Sequence, residues 1–219
     1  MDYAKHLIER IAAFDPDDVR HGVLSNELLR EFHRGYSLNE LRKLIRSDNP
    51  VLVATGAFIT DELGVKCRPL LDDLAPLLNN PMKGVRLDAL SCALWSLPQH
   101  GCLLAKAIAL LDDPEEGVRW KAFDNLCRLS REQVEAANAC AEVRTLGASH
   151  KDGLSWLLSN SALVPGEVEL TLRSKDPVMR RYGAAAAVRL REQDRRPLLY
   201  ASTVEDAEVR KFASSLLDD

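Results

Sequence analysis

Long apolar runs are missing from this sequence. No stretch reaches the roughly 18 residues that a membrane-crossing helix requires, so no span is expected. The opening residues, MDYAKHLIERIAAFD, scatter charges among apolar positions and lack the basic start, apolar run and cleavage site of a signal peptide. A basic excess is also missing. With 29 Lys+Arg against 33 Asp+Glu the net charge is −4, which argues against a protein that grips phosphates and makes nucleic acid an unexpected partner. The five cysteines (Cys67, Cys92, Cys102, Cys127, Cys140) are odd in number, widely spaced and form no CxxC pair. That usage predicts reduced, mostly buried thiols and a cytoplasmic location.

Motifs that carry chemistry are scarce as well. The histidines are His6, His21, His33, His100 and His150, and none has a partner at HExxH-like spacing. His100-Gly-Cys102 brings two potential ligands together, which is short of a metal site. Neither GxGxxG nor GxxxxGK[ST] occurs, so nucleotide binding has no warrant. Ser91 and Ser155 have no evident His and Asp companions. No metal and no cofactor is expected. Alternating strand patterns are absent over any useful length.

What the chain does contain is a repeat, together with enough hydrophobic residues (46%) to bury a sizeable core. The clearest copies are FDPDDVRHGV from Phe14, NNPMKGVRLDAL from Asn79, DDPEEGVRWKAF from Asp112, SKDPVMRRYGAAAAV from Ser174 and VEDAEVRKFA from Val204. A degenerate copy, SDNPVLVATGAF, starts at Ser47. An arginine slot falls at Arg20, Thr55, Arg86, Arg119, Arg181 and Arg210, in steps of 35, 31, 33, 62 and 29. The long step is twice 31, so a hidden unit is expected near Lys151 in SHKDGLSWLL, giving about seven units in all.

Each unit reads as helix, turn, helix. Asp113 suits an N-cap, Pro114 the first helical position, and Glu116 a capping box three residues past the cap. Asp15-Pro16-Asp17-Asp18 repeats this pattern, and Asn80-Pro81 and Asn49-Pro50 are softer versions. The preceding segments, such as GCLLAKAIALLDD, space their leucines at three and four residues, as helices do.

The recurring D-P-x-x-x-V-R-x-x-A core, best in Asp113, Pro114, Val118, Arg119 and Ala122 and again in Asn80, Pro81, Val85, Arg86 and Ala89, resembles the HEAT-repeat family. Arg181 with Ala184, and Val209 with Arg210 and Ala213, keep parts of it. The resemblance covers almost the whole chain. It implies an all-α, right-handed α-solenoid of the armadillo/HEAT type, a single domain over residues 1–219. It also implies that the recurrent Asp and Arg residues form a structural ladder between units, and that the helix after each Asp-Pro turn lines a concave face. Thr55 at an arginine slot, and the missing Asp-Pro near Lys151, depart from the pattern.

Counted from the arginine slot, apolar residues fall at −1, +3, +4 and +7, for example Val118, Ala122, Phe123 and Leu126. Positions +1, +2, +5 and +9 lie opposite, on the side that the resemblance makes concave. Trp95, Trp120, Trp156, Tyr182 and Leu87 occupy that side, with Asp88 and Asp124 beside them. Exposed aromatics are typical interface anchors, although neighbouring helices would also bury such groups against one another. The expectation is a binding module that grips a protein or peptide, a basic one by charge complementarity, through these seven residues. An adaptor, an assembly factor or a stoichiometric inhibitor such as a toxin-neutralising immunity protein fits that description. The resemblance also extends to HEAT-like DNA glycosylases for alkylated bases, with Trp120, Trp156 and Asp124 as candidate site residues, and to bilin lyases. Few basic groups on this side (Lys121, Arg128, Lys211) weigh against a DNA groove.

Overall fold

A computed structural model describes residues 3–15, 21–140 and 147–217. The chain is all-α, with no strand among the described residues. Its contacts gather into two compact units, Met1–Ser96 and Leu97–Asp219, each treated separately below. No helix among the described residues is long and apolar enough to cross a membrane. The Asp15-Pro16 turn and the Arg20 slot fall largely on residues 16–20, outside the described residues.

The first unit holds α1 (Tyr3–Ala12), α2 (His21–His33), α3 (Leu38–Ile45), α4 (Pro50–Leu63) and α5 (Lys83–Ala93). Between α4 and α5 the chain runs through 3₁₀ turns at Gly64–Asp73 and Leu77–Asn79. α4 is the centre of this unit and packs against α1, α2, α3 and α5. Its Asn49 cap accepts from the amides of Val51 and Leu52, and Pro50 occupies the first turn. Val51, Val53, Thr55, Gly56, Ala57, Ile59, Thr60 and Leu63 are all buried, so the helix has little outward polar face. Gly56 permits the close approach of α3, since a Cβ there would lie 2.8 Å from the Ile45 side chain. Thr55, in place of an arginine, shares a 3.1 Å hydroxyl contact with Ser25 of α2.

The second unit holds α6 (Gly101–Ala109), α7 (Glu116–Arg128), α8 (Arg131–Ala139), α9 (Ala148–Leu158), α10 (Pro165–Leu172), α11 (Pro177–Leu190), α12 (Arg196–Ala201) and α13 (Ala207–Ser215). The region near Lys151, where a hidden unit is expected, forms helix α9. α11 is the centre here, packed against α7, α9, α10, α12 and α13. Gly183 lets the α10 backbone approach it, with Leu172 N only 3.1 Å from an added Cβ.

Four arginines make the same bond. The Nη1 groups of Arg86, Arg119, Arg180 and Arg210 each donate to the carbonyls six and five residues earlier, in the turn before their own helix. Two corrections follow. The slot in the sixth unit belongs to Arg180, not Arg181, because Arg180 makes these bonds. The capping box expected at Asp113 and Glu116 does not form. The Asp113 and Pro114 carbonyls serve the Arg119 guanidinium instead of the first helical amides, α7 starts at Glu116, and the Asp113 carboxylate accepts from the amide of Glu115. Asp176 and Asp206, by contrast, are true N-caps.

A third correction concerns cysteine. Cys102 and Cys140 are disulfide-bonded, with Cα atoms 5.3 Å apart, while Cys67 and Cys92 are free and buried as expected and Cys127 is free and half-buried. The bond ties the start of α6 to the end of α8, where Gly101 leaves no room for a Cβ against the Ala136 carbonyl. Closing a loop of 38 residues restricts the unfolded chain by about 4 kcal/mol. Urea unfolding of Cys140→Ser, or of the wild type under reductant, should show a loss of about that size.

Arg180 also reaches the cap of the next repeat, with Nε donating to Asp206 Oδ2 at 2.8 Å. Burial alone would push the Asp206 carboxyl up, but the Val209 amide and the Arg180 guanidinium outweigh it and hold the group below its ordinary value. A depressed carboxyl contributes stability above its unfolded value of about 3.9 and loses it as pH falls through the folded value. Asp206→Asn should lower stability at neutral pH and flatten the acid limb below about pH 4, as read by denaturant midpoints across pH.

Candidate partner-binding surface

Leu87, Asp88 and Trp95 belong to the first unit. Leu87 and Asp88 are half-buried on α5. Trp95 follows the end of that helix and is 41% exposed. Its ring lies against Gly64, where an added Cβ would sit 3.8 Å away, and Val65, next in the chain, is exposed as well. Gly64 has a φ of +55°, in the region that favours glycine, so the tight turn carrying Val65 depends on that residue. An exposed tryptophan beside an exposed valine is apolar surface that the unit itself leaves uncovered.

Trp120, Asp124, Trp156 and Tyr182 belong to the second unit, and their roles differ. Trp120 is half-buried on α7, meeting Phe212 of α13 edge-on at 5.0 Å between centroids, with the Lys211 ammonium 5.4 Å above its ring. Asp124 accepts a 2.9 Å bond from Arg128 one turn on, which satisfies part of its charge locally. Trp156 is half-buried on α9.

Tyr182 is the clear correction. It is 0% exposed and presents nothing to a partner. With the slot at Arg180 it stands at +2, and α11 is covered on that side by α9. A Cβ on Gly153 of α9 would fall 2.2 Å from the tyrosine ring, so the glycine provides the space that the ring fills. Burial raises the phenol above its ordinary value, with the Asp112 charge adding to the effect, and keeps the hydroxyl protonated.

The partners of Tyr182 were not legible in the sequence. His150 is buried beside it, with Nδ1 3.3 Å from the hydroxyl and Nε2 2.9 Å from Asp112 Oδ2. Arg181 joins the chain, donating to the Leu111 carbonyl at 2.6 Å, to Asp112 at 3.2 Å and to Glu208 at 2.9 Å. A hydroxyl that donates to Nδ1 leaves Nε2–H to donate to Asp112, so both ring nitrogens are satisfied. Tyrosine, histidine and carboxylate in line resemble a proton relay. Tyrosine and histidine are both buried while the Asp112 carboxylate stays largely exposed, and the line fixes α9 and α11 against each other. No sequence signal marks it, because its members lie 32 and 38 residues apart.

Three clefts are polar or shallow. One of about 510 Å³ in the second unit is lined by Arg173, Arg180, Tyr200 and Asp206, but its guanidinium groups already bond Tyr200 and Asp206. One of about 500 Å³ in the first unit includes Arg46 and Asp73, which pair with each other. A smaller one of about 240 Å³ lies between α2 and α4 and includes Ala54, Thr55 and Phe58.

Core and surface aromatics separate by mutation. Tyr182→Ala should cost about 3–5 kcal/mol in denaturant unfolding, while Trp95→Ala should cost less than about 1 kcal/mol.

Comparison with known proteins places the chain in no group: no protein-family model matches it, and no curated protein matches it.

Proposed function

We propose that the chain is a protein-binding module of the HEAT-repeat type, a right-handed α-solenoid acting as an adaptor, an assembly factor or a stoichiometric inhibitor of the immunity-protein kind. The arginine bonds to the preceding turn, repeated at Arg86, Arg119, Arg180 and Arg210, support a repeat architecture. Its role is binding rather than catalysis. We place it in the cytoplasm, where thiol-reducing systems would open most exposed disulfides, so the Cys102–Cys140 bond is a state reached under oxidation.

The observation that carries the binding reading is Trp95. It is a large rigid aromatic, 41% exposed, standing over Gly64 with Val65 beside it. Leu87 and Asp88 lie on the helix that precedes it and supply further contacts. A tryptophan of this kind is a typical energetic anchor, worth about 2 kcal/mol or more in a complex. The net charge of −4 favours a basic partner.

The test places a photo-crosslinking amino acid at Leu87 in the full chain and irradiates it in native extract. The expected result is one discrete protein adduct that excess unlabelled wild type suppresses. Trp95→Ala should compete at least about tenfold less well, with an unchanged circular dichroism spectrum. An adduct that Trp95→Ala competes for equally, or no competed adduct, overturns the reading.

A further inference from the structure

Two stretches of the chain match position by position: IRSDNPVLV from Ile45 to Val53, and LRSKDPVMR from Leu172 to Arg180. Their turns make the same bonds. The Ser47 hydroxyl accepts from the Asn49 amide at 3.1 Å, and the Asn49 side chain from the Val51 amide at 2.9 Å. Ser174, Asp176 and Val178 repeat both contacts, at 3.2 and 2.8 Å. The position that holds Arg180 in the second unit is therefore Val53 in the first, and not Thr55 as the spacing from Pro50 suggests.

The consequence lies in the cleft beside each turn. The cleft of about 510 Å³ in the second unit includes Arg173, Ser174 and Arg180, and that of about 500 Å³ in the first includes Arg46, Ser47 and Val53, the same three positions. In the second unit Arg180 Nη1 donates to the Ser174 and Lys175 carbonyls, and Nε to the Asp206 carboxylate. In the first unit the corresponding carbonyls of Ser47 and Asp48 accept no hydrogen bond among the described residues, because valine has no donor to offer. Arg46, on the cleft wall, does not take over. It pairs with the buried Asp73, which also accepts from Arg42 Nε at 2.8 Å.

We propose that the cleft in the first unit is a guanidinium-binding site, and that an arginine side chain of a basic partner protein takes the place that Arg180 fills in the second unit. Its guanidinium donates to the Ser47 and Asp48 carbonyls. Asp72, exposed and also lining the cleft, adds the negative charge that Asp206 supplies to Arg180. Val53 and Leu77 give the methylene stem an apolar wall. A planar fork that serves several acceptors at once selects arginine over lysine, which is a point charge. The net charge of −4 draws a basic segment toward the chain. That the arginine belongs to a protein rests on the binding reading above. The site itself does not, and its test needs only the purified chain.

The probe is a capped Ala-Arg-Ala peptide, titrated into the isotope-labelled full chain and followed by amide chemical shifts. Saturable shifts are expected over residues 47–53, with capped Ala-Lys-Ala and the neutral citrulline analogue binding at least about fivefold more weakly. Val53→Arg supplies the guanidinium from the chain itself, so it should remove the binding and raise the urea midpoint. Asp72→Asn should weaken binding about twofold or more. No saturable shift, shifts that Val53→Arg leaves intact, or equal binding of the lysine peptide overturns the site. Where Val53→Arg fails to fold, the surface variant Asp72→Asn decides, and undiminished binding to it overturns the site. Free arginine binding more tightly than the capped peptide overturns the protein partner. Loss of the Leu87 adduct leaves these titrations unchanged, so the two readings fail separately.

Discussion

A guanidinium bonded to two carbonyls of the turn before its own helix sets the local geometry of four repeats. Those carbonyls precede the helix and have no amide to meet inside it, so without the arginine they would need water or another side chain. A charged donor serving two acceptors is stronger than a neutral pair, and the long side chain lies along its own helix to reach them. The helix start and the direction of the incoming chain are thereby fixed together. With those bonds made, the arginines have little left to offer a ligand. A row of basic residues that looks like a phosphate track is bonded to the backbone instead.

The second constraint is the helix that each unit surrounds. α4 and α11 are both 14 residues long, both begin at a proline, and both are buried on nearly every side. Each contains a glycine where an adjacent helix approaches, Gly56 against α3 and Gly183 against α10. A helix enclosed in this way cannot lend its side chains to a surface, whatever position they hold in the repeat. Tyr182 is the consequence. Its position faces away from the expected apolar stripe, yet the Gly153 space on α9 and the His150 contact make that side interior too.

Much of the fold was readable because repeats advertise themselves by spacing. The helical class and several of the turns follow from leucine periodicity and recurring Asp/Asn-Pro. The register at KDPVMRRY was ambiguous for a concrete reason: two adjacent arginines can each fill the slot, and only the carbonyl bonds of Arg180 decide. The uninterrupted Gly183–Ala187 run was a legible sign that α11 is enclosed, since small residues on successive positions permit close approach from all sides. The Cys102–Cys140 bond and the Asp112–His150–Tyr182 line left no trace, because separations of 30 to 40 residues without a motif look like any other spacing.

The irregular repeat at α9 and the docking of α13 on α7 have one cause. At one step of the repeat an arginine reaches the carboxylate capping the next helix: Arg180 reaches Asp206. The unit after α7 has no Asp-Pro turn: α9 is capped at Gly147, whose backbone offers no side-chain acceptor. Arg119 would then hold a half-buried charge with no capping carboxylate on the following helix to accept from it, which is costly. Glu208 supplies the missing acid from α13, and in doing so brings Phe212 onto Trp120 and Phe123. The tryptophan beside the arginine is therefore placed by the same defect. A gap in the ladder at one repeat draws in the helix three repeats later, and the aromatic face that the gap would have left open is covered by the chain's own helix.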